Sequence, residues 1–265
     1  MLKKIRENSI LLYVVSDQTI VSLGNFLISV LILRYIGIQE FGIFAFILLN
    51  VYFLNDIQLS GIISPMLTNG PKQNQKVISY FYGSIFILQI IFSFFCSIFF
   101  YLILNNFGFL IPEFKLSNYA FTLLFLIFFS QLNQFLKRLV ISKEKFIRPI
   151  FSDFFTYVFF FITFFFFYGE QNVNLDKVFL ILTISFFIGS LCNISSIFSL
   201  NFKLENFIST TKKNWVLSKW LVLTSVTGWF SRNLWIISVG AILGPYIFGI
   251  VRSCQIILNF KNVFL

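Results

Sequence analysis

The feature that most constrains this chain is the length of its apolar runs, of which Val77 to Leu104 is the clearest. A bilayer core of roughly 30 Å needs about 20 apolar residues per helix, and several runs exceed that. In lipid a helix satisfies its own backbone hydrogen bonds, so runs this long are not strands. Composition agrees, with 58% hydrophobic and 11% charged residues among 265 and a mean hydropathy of +0.87. The expected fold class is all-α, a polytopic membrane helical bundle. The 41 phenylalanines carry no functional weight. Phe, Ile, Asn and Lys are over-used together, as an A/T-biased coding sequence produces.

Windows between polar breaks predict eight spans, at residues 10–36, 41–64, 78–104, 118–139, 150–168, 177–200, 219–243 and 246–265. The basic start MLKKIRENSILLYVV leads into an apolar run without a small-residue cleavage site, which reads as a retained first span rather than a signal peptide. With the N-terminus placed in the cytoplasm, most lysines and arginines collect on one side, densest from Lys137 to Arg148. Only Arg34, Lys115 and Lys177 fall opposite. That asymmetry gives the +10 net charge a topological meaning and makes nucleic acid an unsuitable partner. The last apolar run ends on Phe264 and Leu265 without a polar tail, from which a chain cut in or just after its eighth span is expected.

Soluble-type chemistry finds no support. Cys96, Cys192 and Cys254 lie in apolar runs without metal-ligand spacing, histidine is absent, and no Gly-rich phosphate loop or nucleophile motif occurs. No catalytic residue and no metal site are assigned.

One pattern occurs twice. Ile36-Gly37-x-x-x-Phe41-Gly42-Ile43-Phe44 is echoed by Leu243-Gly244-x-x-x-Phe248-Gly249-Ile250-Val251, each preceded by a span carrying an asparagine, Asn25 or Asn233. The first glycine is expected to close one helix and the Phe-Gly pair to open the next with close backbone packing. Six spans separate the copies, so both have the same orientation, a parallel repeat suited to a two-lobe alternating-access transporter. Coincidence in a sequence short of residue types is the competing explanation. The predicted organisation is a first six-helix lobe at 1–200, a cytoplasmic inter-lobe loop at 201–218 and the first hairpin of a second lobe at 219–265.

The run SDQTIVSLGNFLISVLILRYIGIQEFGIFAF, with Gln58-Leu59 and Ser64-Pro65-Met66, resembles the first two helices of the polysaccharide repeat-unit flippases of the multidrug/oligosaccharidyl-lipid/polysaccharide exporter superfamily. QLNQFLKRLVISKEKFIRPIFSDFFTYV resembles that family's fourth-to-fifth helix connection, and the segment from Ser218 to Leu265 its seventh and eighth helices. The resemblance implies two six-helix lobes and export of an undecaprenyl-diphosphate-linked oligosaccharide across the bacterial inner membrane, for O-antigen, capsule or exopolysaccharide synthesis. It implies no cofactor, with Na+ or H+ as coupling ion. The implied partners are membrane lipids and polysaccharide polymerase or assembly proteins.

Such a substrate needs cations for phosphates and hydrogen-bonding groups for sugars. Arg232 and Arg252 are the most deeply placed basic residues, and both are expected to face a cavity, with Arg34 shallower. Pairing with Asp56 or snorkelling is the structural alternative for each. Gln18, Ser22, Asn25 and Ser29 form one stripe on the first helix beside Asp17, either lining the sugar path or packing against a neighbour. Asp56 and Asp17 are the ion-coupling candidates. Gln131, Gln134 and Arg138 form a further stripe leading to the basic loop, a first phosphate contact or a solvated helix end, and Asp153 is expected to pair with a cation of that loop. Competing functions are a drug or metabolite exporter of the same superfamily, which favours cavity carboxylates, and a membrane-embedded polymerase or glycosyltransferase, which favours long outer loops.

Overall fold

In the computed structural model the described residues are 2–74, 77–107, 111–169 and 173–264. Leu265, on which the last predicted span ends, lies outside them, as do Lys76 of the basic set and residues 108–110. The described residues form helices and turns without a strand, and seven helices are long and apolar enough to cross a membrane. This is a multi-pass membrane bundle.

The helices are α1 (Leu2–Tyr35), α2 (Ile38–Gln58), α3 (Ser64–Asn69), α4 (Ile78–Phe107), α5 (Ala120–Ser142), α6 (Ile147–Gly169), α7 (Leu175–Asn193) and α8 (Leu204–Phe264). A π turn, Leu59–Ile63, joins α2 to α3 without ending the helix. At 34 residues α1 is about 50 Å long, so its basic start extends past its apolar window at Val15–Tyr35. The stretch expected as a loop over 201–218 is helical from Leu204 onward. Apolar Phe207 and Leu217 and buried Asn214 and Ser218 give it a face to pack, which a count of its lysines hides.

α8 is two helices in continuous succession. Gly244 has φ 78°, ψ 178°, outside helical geometry, and there the chain turns back. Residues 214, 218 and 229 meet Asn69, Gly61 and Phe53 in descending order, whereas beyond the turn Phe248 packs on Phe46 and Arg252 shares a cavity with Tyr52. The other hairpin turn, Gly37, has nearly the same backbone, φ 108°, ψ 167°. Side-chained residues rarely adopt these angles, so both copies of the sequence motif begin with a position that needs glycine.

The two copies also touch. A Cβ on Gly42 would strike the carbonyl of Pro245, and a Cβ on Gly249 would strike the carbonyl of Ile38. Ile38 follows Gly37 as Pro245 follows Gly244, so the contacts are reciprocal, as across a local two-fold axis. Each hairpin also has a carboxylate beside the start of its second helix. Glu40 lies in the first turn of α2, while Ile247 occupies the matching place in the second copy and Glu113 reaches in to touch Gly244. Anionic groups are favoured at helix N-termini, where unpaired N–H groups concentrate.

Polarity is arranged for lipid. Phe94, Phe95 and Phe99 of α4 and Phe165 and Phe166 of α6 point outward, whereas Gln58, Gln89, Gln131, Asn133 and Asp153 are buried. Lipid tails solvate phenylalanine as well as a core does, so the interior is where polar groups find partners. The end carrying Lys72, Lys143, Arg148 and Lys203 is closed by side-chain bonds. Lys143 Nζ donates to the Ser196 carbonyl (3.0 Å) and Ser199 Oγ (2.8 Å), and Arg148 Nη1 donates to Ser195 Oγ (2.7 Å). Partial burial, with Lys145 adding to it, pushes the Lys143 ammonium below its usual range.

Candidate functional site

Two adjoining chambers lie among the helices. The first, about 280 Å³, is lined by Ser22, Asn25 and Ser29 of α1, Tyr52 of α2 and Arg252 of α8. The second, about 90 Å³, shares Asn25, Ser29 and Tyr52 and continues to Asn133, Gln134, Lys137, Asp153 and Tyr157 of α5 and α6. A stripe at helical spacing on α1 therefore becomes one wall of a polar cavity, because α1 packs its Gly24 surface on α6. A Cβ on Gly24 would enter the Tyr157 ring. That approach lets the Tyr157 hydroxyl donate to Asn25 Oδ1 at 3.1 Å.

Arg252 is the cation of the first chamber. Its Nη1 donates to Gln255 Oε1 at 3.0 Å, and its buried Nε has no hydrogen-bond partner among the described residues. A guanidinium donor without an acceptor is costly, and Arg252 is the cation that an anionic group entering the first chamber would meet.

The second chamber ends in a charged cluster. Lys137 Nζ lies 2.7 Å from Asp153 Oδ1, with side chains 11% and 4% exposed. The Asp17 carboxyl lies beside Asp153, and Asp17 Oδ1 and Asp153 Oδ2 are buried without a hydrogen-bond partner among the described residues. Two neighbouring carboxyl groups thus accompany a single ion-paired ammonium. A proton or small cation balances such a cluster, since uncompensated buried charge is strongly unfavourable.

The expected residues divide clearly. Arg252, Asn25 and Gln134 line the chambers, and Asp17 belongs to the charged cluster. Arg232 lines neither chamber; its guanidinium is 70% exposed and lies 4.0 Å from Asp56, the pairing given above as its structural alternative. Arg34 is exposed beside the Tyr35 ring, Gln18, the first residue of the stripe, is exposed and lines neither chamber, and half-buried Arg138 lines neither chamber. Tyr52, Tyr157 and Asn133 were not singled out by sequence, whereas Lys137 opens the basic stretch with which Asp153 was expected to pair, as it does. On α5 the polar face runs through Asn133, Gln134 and Lys137 and leaves out Gln131 and Arg138. The matching signal was Asn133 and Lys137 at i, i+4 opposite Asp153 and Tyr157 at i, i+4.

The fold and site define an α-helical membrane protein with a polar, charge-bearing interior cavity. Comparison with protein-family models and with curated proteins found no match to this chain.

Proposed function

We propose that this chain is part of a flippase that moves a diphosphate-linked oligosaccharide on a polyprenyl lipid across the bacterial inner membrane, with its N-terminus in the cytoplasm. The observation that carries the proposal is Arg252, a half-buried guanidinium with an unused Nε donor, the cation of a chamber where Ser22, Asn25, Ser29 and Tyr52 supply polar groups among phenylalanines, Ala45, Leu48 and Ile256. The guanidinium suits a phosphate, and Ser22, Asn25, Ser29 and Tyr52 suit a glycan. The reciprocal glycine contact and the family-like segments support the two-lobe transporter reading. Asp17 and Asp153, with Lys137 as fixed counter-charge, are the proposed coupling groups for Na+ or H+. Assembly enzymes of the same polysaccharide are the proposed partners.

The carboxylates are the observation that favours a cationic drug instead. Lys137 offsets one of them and Arg252 faces the larger chamber, which leaves the anionic substrate better matched.

The test is complementation of a strain lacking its own repeat-unit flippase. Arg252→Ala is expected to abolish surface polysaccharide, and Arg252→Lys to retain part of it. Wild-type polysaccharide from Arg252→Ala, at equal membrane levels, removes Arg252 from the mechanism and with it the case for an anionic substrate.

A further inference from the structure

The seam between α2–α3 and α8 is held by different chemistry at its two ends. At the hairpin-turn end Gly42 meets the Pro245 carbonyl and Gly249 the Ile38 carbonyl, backbone against backbone with no side chain between. At the basic end the contacts are side-chain hydrogen bonds. Asn69 Nδ2 donates to Asn214 Oδ1 at 2.8 Å, and the Ser218 hydroxyl donates to the Gly61 carbonyl at 2.7 Å. Asn214 and Ser218 are 4% and 3% exposed, so both bonds are shielded from water.

The sequence explains why a hydroxyl is placed there. Pro65 stands four residues after Gly61 and has no N–H, so it cannot supply the donor that α-helical register would bring to that carbonyl. The helix passes through the π turn at Leu59–Ile63, a distortion common where helices bend or act. Ser218 therefore donates to a carbonyl that the local sequence has loosened. The same hydroxyl also lies 2.9 Å from the Asn214 carbonyl of its own helix, and it has a single proton to give. If the seam parts, Ser218 keeps a partner within α8, so separation leaves no buried hydroxyl unpaired. The glycine end has no such exchange, because nothing there can change rotamer.

We propose that Asn69–Asn214 and Ser218–Gly61 form a latch closing the basic end of the seam, and that the Gly42–Gly249 contact is the fulcrum about which the helices part. The structure shows the latch closed. Opening it connects the chamber wall at Tyr52 and Asn55 with the basic side. The latch deepens the transporter reading and rests on it for its purpose, but it asserts a motion that can be measured without any substrate.

The experiment uses the full-length protein in membrane vesicles, with Cys96, Cys192 and Cys254 replaced by Ser and a reporter thiol introduced by Asn55→Cys. A membrane-impermeant maleimide is applied from the basic side. Ser218→Ala is expected to raise the labelling rate at position 55 about fivefold, the population shift that loss of one buried hydrogen bond produces. A disulfide from Asn69→Cys with Asn214→Cys is expected to suppress labelling, and reduction of the same sample to restore it, which separates latching from misfolding. Labelling that ignores both Ser218→Ala and the cross-link overturns the latch. Transport at full rate with the cross-link closed also overturns it and leaves the flippase reading standing. Labelling that responds in a protein that moves no lipid-linked oligosaccharide supports the latch and removes that substrate.

Discussion

The glycine contact between the two hairpins and the charged cluster around Asp153 are both buried, yet they tolerate change in opposite ways. At the glycines the constraint is space: the obstructing atoms are the backbone carbonyls of Pro245 and Ile38, which no substitution can trim. At Asp153 the constraint is charge, and side chains on α1, α5 and α6 share it. A defect of shape there is local and irreparable, whereas a defect of charge can be offset from another helix.

The largest expected effect is Lys137→Met. It leaves the buried carboxyl groups without their cation and should cost about 3–5 kcal/mol, read as thermal unfolding in detergent micelles. Adding Asp153→Asn should recover most of that loss. Absence of recovery would show that the cluster is held by packing rather than charge.

Gly42→Ala and Gly249→Ala should each cost about 1–3 kcal/mol through overpacking, and no partner substitution across the contact should restore either. Rescue by any second change would break the comparison, since it would mean the helices move apart easily there.

The two turn glycines sharpen it further. Both have a backbone that side chains rarely adopt, so each substitution to Ala should cost about 1–3 kcal/mol. A Cβ on Gly37 meets open space while one on Gly244 meets the Glu113 carboxylate, so Gly244→Ala should be the worse. In the Glu113→Gly background the two should become equal in unfolding temperature, once the parent shift is subtracted.

The smallest effect is Tyr157→Phe, about 1 kcal/mol for the hydrogen bond to Asn25, with the ring still filling the space over Gly24. A much larger loss would assign the hydroxyl a role beyond joining α1 to α6.

Much of this architecture is written in local pattern. Apolar length sets the spans, the paired glycines set both tight turns, and the Ser22, Asn25 and Ser29 spacing sets one cavity wall. Other features depend on which neighbour a helix meets. Gln131 and Asn133 are equally polar and two residues apart, yet Asn133 lines the second chamber and Gln131 does not, because α4 packs on one side of α5 and α7 on another. Likewise the lysines of 203–219 suggested a solvated loop, although Asn214 and Ser218 bury themselves against α2 and α3 and keep the segment helical.

The sequence by itself determined that this is an all-α, multi-pass membrane chain with two equivalent glycine hairpins, because chain length against bilayer thickness and a glycine-only backbone are local requirements. Only the tertiary structure decided that the hairpins lock reciprocally, that Glu113 supplies the carboxylate missing from the second copy, and that Lys137 rather than Arg138 neutralises Asp153. Those outcomes turn on contacts between segments far apart in the chain, where a rotation of one residue about a helix axis exchanges lipid for a buried charge.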